Sequence, residues 1–216
     1  MDIKNIISGF EKVATASVAD AVDKVTGKRG YLDQSIKPRI NDRRIVGQAA
    51  TVVEVATDEF VPPQHALDLI DEAPTGSVIC ISIGEGSNVA VWGGLMTAGA
   101  FANKHVGAVL DGGVRDIAEI RRDYDFPVFA RSISPGTTLG RFKTLASQIP
   151  AMVGGILIHP GDIVVGDMDG VVVVPLAHAE AVLEMSVEID VRELEQAKMI
   201  VAERSLRKGL AKYGRI

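Results

Sequence analysis

The 216 residues carry 23 Lys and Arg against 28 Asp and Glu, a net charge of −5, with 47% hydrophobic residues and 22 glycines. That length predicts one compact domain whose core needs no disulfide staple, and the acidic balance gives no electrostatic reason to expect nucleic acid or an anionic membrane as partner. The single cysteine, Cys80, lies in the apolar run from Val78 to Ile81 and reads as buried and inert, in keeping with a reducing, cytoplasmic setting. The first five residues lack the basic-then-apolar pattern of a signal peptide. The longest weakly polar stretch, Val89 to Ala102, is broken by Gly93, Gly94 and Gly99 and falls short of the ~18 apolar residues of a spanning helix.

The chain opens on a helical pattern from Ile6 to Gly30, with Phe10, Val13, Val18, Ala21, Val22 and Val25 near helical spacing and Gly27 and Gly30 at its end. A polar loop covers Ile36 to Asp42. Short, β-branched apolar runs then dominate: Val46–Ala56, Val78–Ile83, Val106–Leu110, Val128–Ala130, Met152–Ile158, Ile163–Val165 and Val171–Val174. Helical patterns separate some of them, one of small residues from Gly94 and one from Asp116. Uniformly apolar strands mixed with helices predict a layered α/β fold with buried sheets. Asp169-Gly170 between two apolar runs predicts a hairpin, so part of the sheet is antiparallel.

The tail differs in kind. From Leu176 to about Lys208 there is neither Pro nor Gly, charge rises, and Leu183, Val187, Val191, Leu194 and Val201 mark a helical stripe. One helix of that length would reach ~50 Å, beyond the ~35–40 Å expected of a chain this size. The reading is therefore a body over residues 1–175 and a helical extension over 176–216, as one helix or two with a break, that touches another subunit.

Two constellations could carry chemistry. In Leu110-Asp111-Gly112-Gly113-Val114-Arg115-Asp116, a strand runs into a Gly-Gly turn that presents Arg115 and Asp116 ahead of a helix. A planar cation beside a carboxylate suits a ligand bearing both an anion and a divalent metal. The same residues also suit structure alone, with Asp116 and Glu119 as a capping-box pair and Arg115 as a surface charge. In Trp92-Gly93-Gly94-Leu95-Met96, two glycines open a helix and leave its first amides unshielded, an anion site or merely a place of close packing. Gly84-Glu85-Gly86 is half of a dinucleotide fingerprint without its third glycine. His65, His105, His159 and His178 are scattered, so zinc has no support; His159-Pro160-Gly161-Asp162 reads as a turn and Asp167-Met168-Asp169-Gly170 as a hairpin. No lysine interrupts the apolar strands, which leaves metal assistance as the option for carbon–carbon bond chemistry.

The segments VLDGGVRDIAEI, DFPVFARSISPGT and HPGDIVVGDMDGVVVVP, with the strand start at Ile45-Val46-Gly47-Gln48-Ala49 and Gly93-Gly94-Leu95-Met96, resemble the RraA-like family from about Ser17 to Pro175. That family holds metal-dependent 4-hydroxy-4-methyl-2-oxoglutarate/4-carboxy-4-hydroxy-2-oxoadipate aldolases and the RraA regulators of ribonuclease activity. The resemblance implies a β/β/α swivelling-type sandwich in a homotrimer or a hexamer of two trimers, with sites between subunits. It implies Mg²⁺ or Mn²⁺ on Asp116, Arg115 on a pyruvyl group, and the amides of Leu95 and Met96 on its carboxylate. Where the aldolases carry an Asp 21 positions before the Arg, this chain has Gly94. A glutamate from a neighbouring subunit reaches the metal in the family, and Glu193 is the candidate here. The expected activity is a metal-dependent lyase on a small 2-oxo acid, through a pyruvate enolate, by retro-aldol cleavage or oxaloacetate decarboxylation. The alternative is a non-catalytic regulator that binds a ribonuclease, which would have no need of the Arg115-Asp116 pair.

Overall fold

The computed structural model describes residues 2–84 and 88–214. Its chain folds as a mixed α/β layer structure around one curled sheet. Four strands form the parallel centre: β2 (Ile45–Ala56), β3 (Val78–Ser82), β5 (Gly107–Val114) and β6 (Val128–Ile133). On one side β2 continues antiparallel into β10 (Ile163–Asp167) and β11 (Gly170–Val174), and on the other β6 pairs with the short β1 (Lys37–Pro38). β4 (Ala90–Trp92) runs beside the end of β5, and β7 (Phe142–Ser147) beside the end of β2. The expected hairpin forms: β10 and β11 pair from Ile163↔Val174 to Asp167↔Gly170.

The sheet bends almost into a ring. Gly30 and Leu32 hydrogen-bond to Val173 and Val171 of β11, Tyr31 bridges Val172, and the same segment then enters β1 at the opposite edge. Inside the curl, Ile45, Val78, Val109, Phe129, Val164 and Val173 face a small two-stranded unit, β8 (Ala151–Val153) and β9 (Ile156–Ile158). The apolar run 152–158 is thus a hairpin rather than one strand. Gly154 and Gly155, at φ 56° and 77°, take the two positive-φ positions that a two-residue turn needs.

Two groups of helices cover the outside. α3 (Gln64–Glu72), α4 (Gly94–Ala102) and α5 (Ile117–Asp123) pack over the centre of the sheet, where Ile79, Ile81, Leu110 and Trp92 are buried. α1 (Ile3–Phe10), α2 (Thr15–Thr26) and the first half of α6 (Ala179–Glu203) pack over β10 and β11 through Phe10, Val18, Val165, Val182 and Ile189. The opening helical pattern is therefore two helices. The break falls where Arg44 of the neighbouring layer takes the Phe10 and Val13 carbonyls, which ends α1 in place of a further helical turn. The tail is also two helices, α6 and α7 (Leu206–Tyr213), parted at Arg204, which turns left-handed at φ 49°, with Ser205 capping α7. No helix of the described residues is long and apolar enough to cross a membrane.

Candidate active site

The carboxyl ends of the parallel strands deliver the two constellations to one place. β5 does not turn at its glycines. Gly112 and Gly113 are strand residues, and their lack of side chains is a matter of crowding: a Cβ on Gly112 would lie 2.8 Å from Ile83 Cδ1, and one on Gly113 3.0 Å from the Val89 carbonyl. Both contacts arise because the chain around β4 lies hard against β5. The turn proper is Arg115-Asp116. Arg115 N–H donates to the Trp92 carbonyl at 3.0 Å, and Asp116 adopts the left-handed conformation at φ 60°. That conformation is uncommon outside glycine and most accessible to Asn and Asp.

The Asp116 side chain does not cap its own helix. Its Oδ2 instead accepts the Gly94 N–H across the gap at 2.9 Å, with Arg115 Nε 3.6 Å away. The capping-box reading of Asp116 and Glu119 thus gives way to a cross-link between the β5 turn and the start of α4. A side chain at Gly93 would push that carboxylate aside, because a Cβ would stand 2.6 Å from Asp116 Oδ2 and 3.2 Å from Arg115 Nε. Gly94 is not crowded in that way, since its Cβ would meet Asp116 at 3.6 Å. The helix start is held from behind: Trp92 Nε1–H donates to Thr97 Oγ1 at 2.8 Å, and the Thr97 hydroxyl donates to the Gly93 carbonyl at 3.0 Å. Trp92 itself is buried and stacks on Phe126.

The result is a β5 turn fastened against the start of α4. Arg115 and Asp116 remain partly exposed there. In the first turn of α4 the amides of Leu95 and Met96 have no intrahelical acceptor, and Gly93 has no side chain to cap them. Leu95 points its side chain to solvent while Met96 packs on the core, so both contribute backbone rather than side chain. Asp116 Oδ1 takes no hydrogen bond from a described residue, which leaves a hard oxygen donor facing outward. Among the described residues no three His, Cys, Asp or Glu side chains gather to hold a metal. A single carboxylate completed by water and ligand oxygens is a mode that Mg²⁺ accepts.

The other sequence candidates fall to structure. His105 is buried and bonds the Ile70 carbonyl, and His65 contacts Thr144 Oγ1. Asp162 ties its loop by accepting from His159 N–H and Leu176 N–H. Burial pushes the Cys80 thiol well up, as befits an inert core sulfur. Glu193 lies exposed on α6, a helix that packs on α1, α2 and α7 and not on the elements that carry Arg115 and Asp116. Gly84-Glu85-Gly86 reaches into residues 85–87, outside the described residues. Sequence reasoning missed Asp111. It is buried beneath the site, where it binds Arg131 Nε at 2.7 Å and the Gly154 N–H at 3.0 Å and so fastens the β8–β9 turn to β5. Burial raises its carboxyl above the ordinary range, against the pull of Gly154 N–H and Arg131. Its signal was a lone acid inside an otherwise apolar strand.

A family model described as RraA-like, Aldolase/RraA, matches residues 15–173. The chain belongs to the RraA-like family. Protein DlpA of Legionella pneumophila is 32% identical over 202 residues, 93% of this chain, and the chain spans only 32% of that relative's length. A Halalkalibacterium halodurans protein named "Putative 4-hydroxy-4-methyl-2-oxoglutarate aldolase" is 33% identical over 83% of this chain and 81% of its own. Among solved structures, a Pseudomonas syringae protein described as uncharacterized superposes with a TM-score of 0.86 at 32% identity, covering 98% of this chain and 95% of the other. Streptomyces coelicolor RraAS2, described as an unusual member of the RNase ES inhibitor RraA protein family, shares the fold at a TM-score of 0.80 and 22% identity, over 95% of this chain and 100% of its own. The RraA-like match ends where β11 ends, so α6 and α7 lie beyond it.

Proposed function

We propose that this RraA-like chain is a lyase that releases pyruvate from a small 2-oxo acid, with oxaloacetate decarboxylation as the reaction its residues support best. The observation that carries the reading is the convergence of Asp116 and Arg115 on the open start of α4. Asp116 would hold Mg²⁺ or Mn²⁺, which when bound supplies Lewis-acid polarisation of the substrate ketone. The amides of Leu95 and Met96 receive the substrate carboxylate at the positive end of the helix dipole. Arg115, a fixed cation beside Asp116, faces the negative charge that grows on the ketone oxygen as the carbon–carbon bond breaks. In decarboxylation, the bond to the distal carboxylate breaks, CO₂ leaves, and the electron pair forms the pyruvate enolate, which takes a proton from water.

Retro-aldol cleavage passes through the same enolate but first needs a base for the substrate hydroxyl. Gly94 offers none, and no second carboxylate stands within the described site. The fold-level kinship with aldolases therefore supports the enolate, and the chain's own residues favour the simpler of two routes to it.

The test is pyruvate release from oxaloacetate and from 4-hydroxy-4-methyl-2-oxoglutarate, with and without Mg²⁺. Oxaloacetate turnover that depends on Mg²⁺ and drops at least ~100-fold in Asp116→Ala is expected. Background rates with both substrates, or an unimpaired Asp116→Ala variant, overturn the proposal.

A further inference from the structure

A second cleft lies at the far ends of the two helices that start at the candidate active site. α4 and α5 begin where Gly94 meets Asp116 and end at Ala102 and Asp123. There Phe101 and Tyr124 meet, with ring centroids 5.6 Å apart. Beside them opens a cleft of about 760 Å³, lined also by Val46, Val106, Phe126 and Pro127 at the amino ends of β2, β5 and β6. Small-molecule sites run to about 300–1,000 Å³ and pair apolar walls with a few polar groups. The nine residues of α4 separate this cleft from Asp116 by about 13 Å.

Two polar groups on its lining are unspent. Arg44 donates to Thr15, Asp167, Phe10 and Val13, yet its Nε is buried with no partner among the described residues. His105 is 6% exposed; its Nε2 lies 2.8 Å from the Ile70 carbonyl, and its Nδ1 is likewise buried and unpartnered. A carbonyl can only accept, so Nε2 carries the hydrogen and Nδ1 of the neutral ring is left as an acceptor. One orphan donor and one orphan acceptor thus belong to the same cleft. Buried polar atoms without partners are costly and uncommon in folded proteins. The wider cleft beside Tyr31, about 960 Å³, has no such orphan on its lining among the described residues.

Charge narrows the ligand. Arg43, Arg44 and Lys104 line the cleft against one acid, Glu11, while Asp125 and Asp167, which pair with the two arginines, lie outside the lining. That balance favours an anion. The Lys104 ammonium and one Arg44 N–H suit the single charge and two oxygens of a carboxylate better than the heavier charge and three oxygens of a phosphate.

We infer that this cleft binds a small aromatic carboxylic acid that also bears a hydroxyl group. The ring lies against Phe101 and Tyr124, in the offset or edge-on contacts that aromatic pairs favour. The carboxylate accepts from Lys104 and the Arg44 Nε–H, and the hydroxyl donates to His105 Nδ1.

The test is titration calorimetry of the full chain with benzoate, its 2-, 3- and 4-hydroxy derivatives and benzamide, with circular dichroism to confirm that each variant folds. At least one hydroxy isomer should bind about tenfold tighter than benzoate, as a hydrogen bond to an otherwise unpaired acceptor predicts. Benzamide, which lacks the charge, should bind about tenfold more weakly than benzoate. Phe101→Ala and Lys104→Glu, both at exposed positions, should each weaken the best hydroxybenzoate at least about tenfold. Asp116→Ala, at the other end of α4, should bind it as the parent does. No binding of any isomer to the parent, equal affinity for benzoate and every isomer, benzamide binding as well as benzoate, or folded Phe101→Ala and Lys104→Glu variants of unchanged affinity overturns the inference. So does loss of binding in Asp116→Ala, because the acid then sits in the candidate active site.

Discussion

At the scale of single residues, the site is set by two glycines whose roles differ. Gly93 leaves room for Asp116 Oδ2, where a Cβ would intrude to 2.6 Å, whereas Gly94 has ordinary van der Waals space. Gly93→Ala should displace Asp116 and lower pyruvate release about 100-fold, as misplacement of a reacting group by about an ångström does. Gly94→Ala should keep turnover within about twofold. Steady-state rates on oxaloacetate for the two variants check the contrast. Gly94→Asp goes further, since it sets a carboxylate at the helix start, where the dipole favours it, beside the reacting groups. It should raise retro-aldol cleavage relative to decarboxylation at least ~10-fold, within the range a positioned base supplies; the ratio of the two rates in one preparation measures it. The sequence made Arg115, Asp116 and the Gly93-Gly94 pair visible, because residue types that bind anions and hard cations stood next to turn-forming glycines. That Gly112 and Gly113 belong to a strand was hidden. Their glycine character answers to β4, a neighbour whose closeness no local pattern encodes.

At the scale of elements, β2 carries an anomaly. Glu54 is buried, neither of its carboxylate oxygens has a partner among the described residues, and it sits at a register shift opposite Thr144 of β7. Desolvation raises its carboxyl from 4.5 to about 7. Native Glu54 then keeps its proton up to about pH 7 and unfolded Glu54 only to about 4.5. The folded state binds more protons in that window, and stability falls as pH rises through it, by about 3 kcal/mol in all. Glu54→Gln should leave Tm unchanged near pH 4 and raise it by roughly 5–10 °C at pH 8; thermal melts at the two pH values decide. β7 and α3 were not foreseen, although Ala66, Leu69 and Ile70 of α3 do fall at helical spacing. β7 mixes Lys143, Thr144 and Ser147 with apolar residues at no clean period and is mostly half-buried, a weaker pattern than the uniformly apolar strands that were legible.

At the scale of the whole molecule, one residue couples the outer helices to the sheet. Arg44, just before β2, binds Thr15 Oγ1 at 2.9 Å and Asp167 Oδ2 at 2.7 Å in addition to the carbonyls that end α1. Arg44→Ala leaves the partly buried Asp167 without its cation and the α1–α2 corner without its cap, and should cost about 2–4 kcal/mol. Denaturant unfolding of the variant against wild type reads that loss. The layered α/β class and the helical tail could be read from apolar runs and the change in composition. The curl of the sheet could not, because it depends on Tyr31 meeting Val172 across most of the chain.

That same closure sets an order of events during synthesis. β3, β5 and β6 each follow the strand they pair with by a few tens of residues, so the parallel centre can assemble as it emerges from the ribosome. The remaining neighbours of β2 are β7 and β10, both far downstream in the chain, and the segment around Tyr31 waits longer still for β11. Until those arrive, β2 keeps an unpaired edge and the first two helices have no floor. Contacts of such long sequence separation form slowly, and exposed edges are where nascent chains aggregate. The last strand hairpin is thus the kinetic clasp of the molecule, and a chain stalled short of residue 174 leaves the ring open.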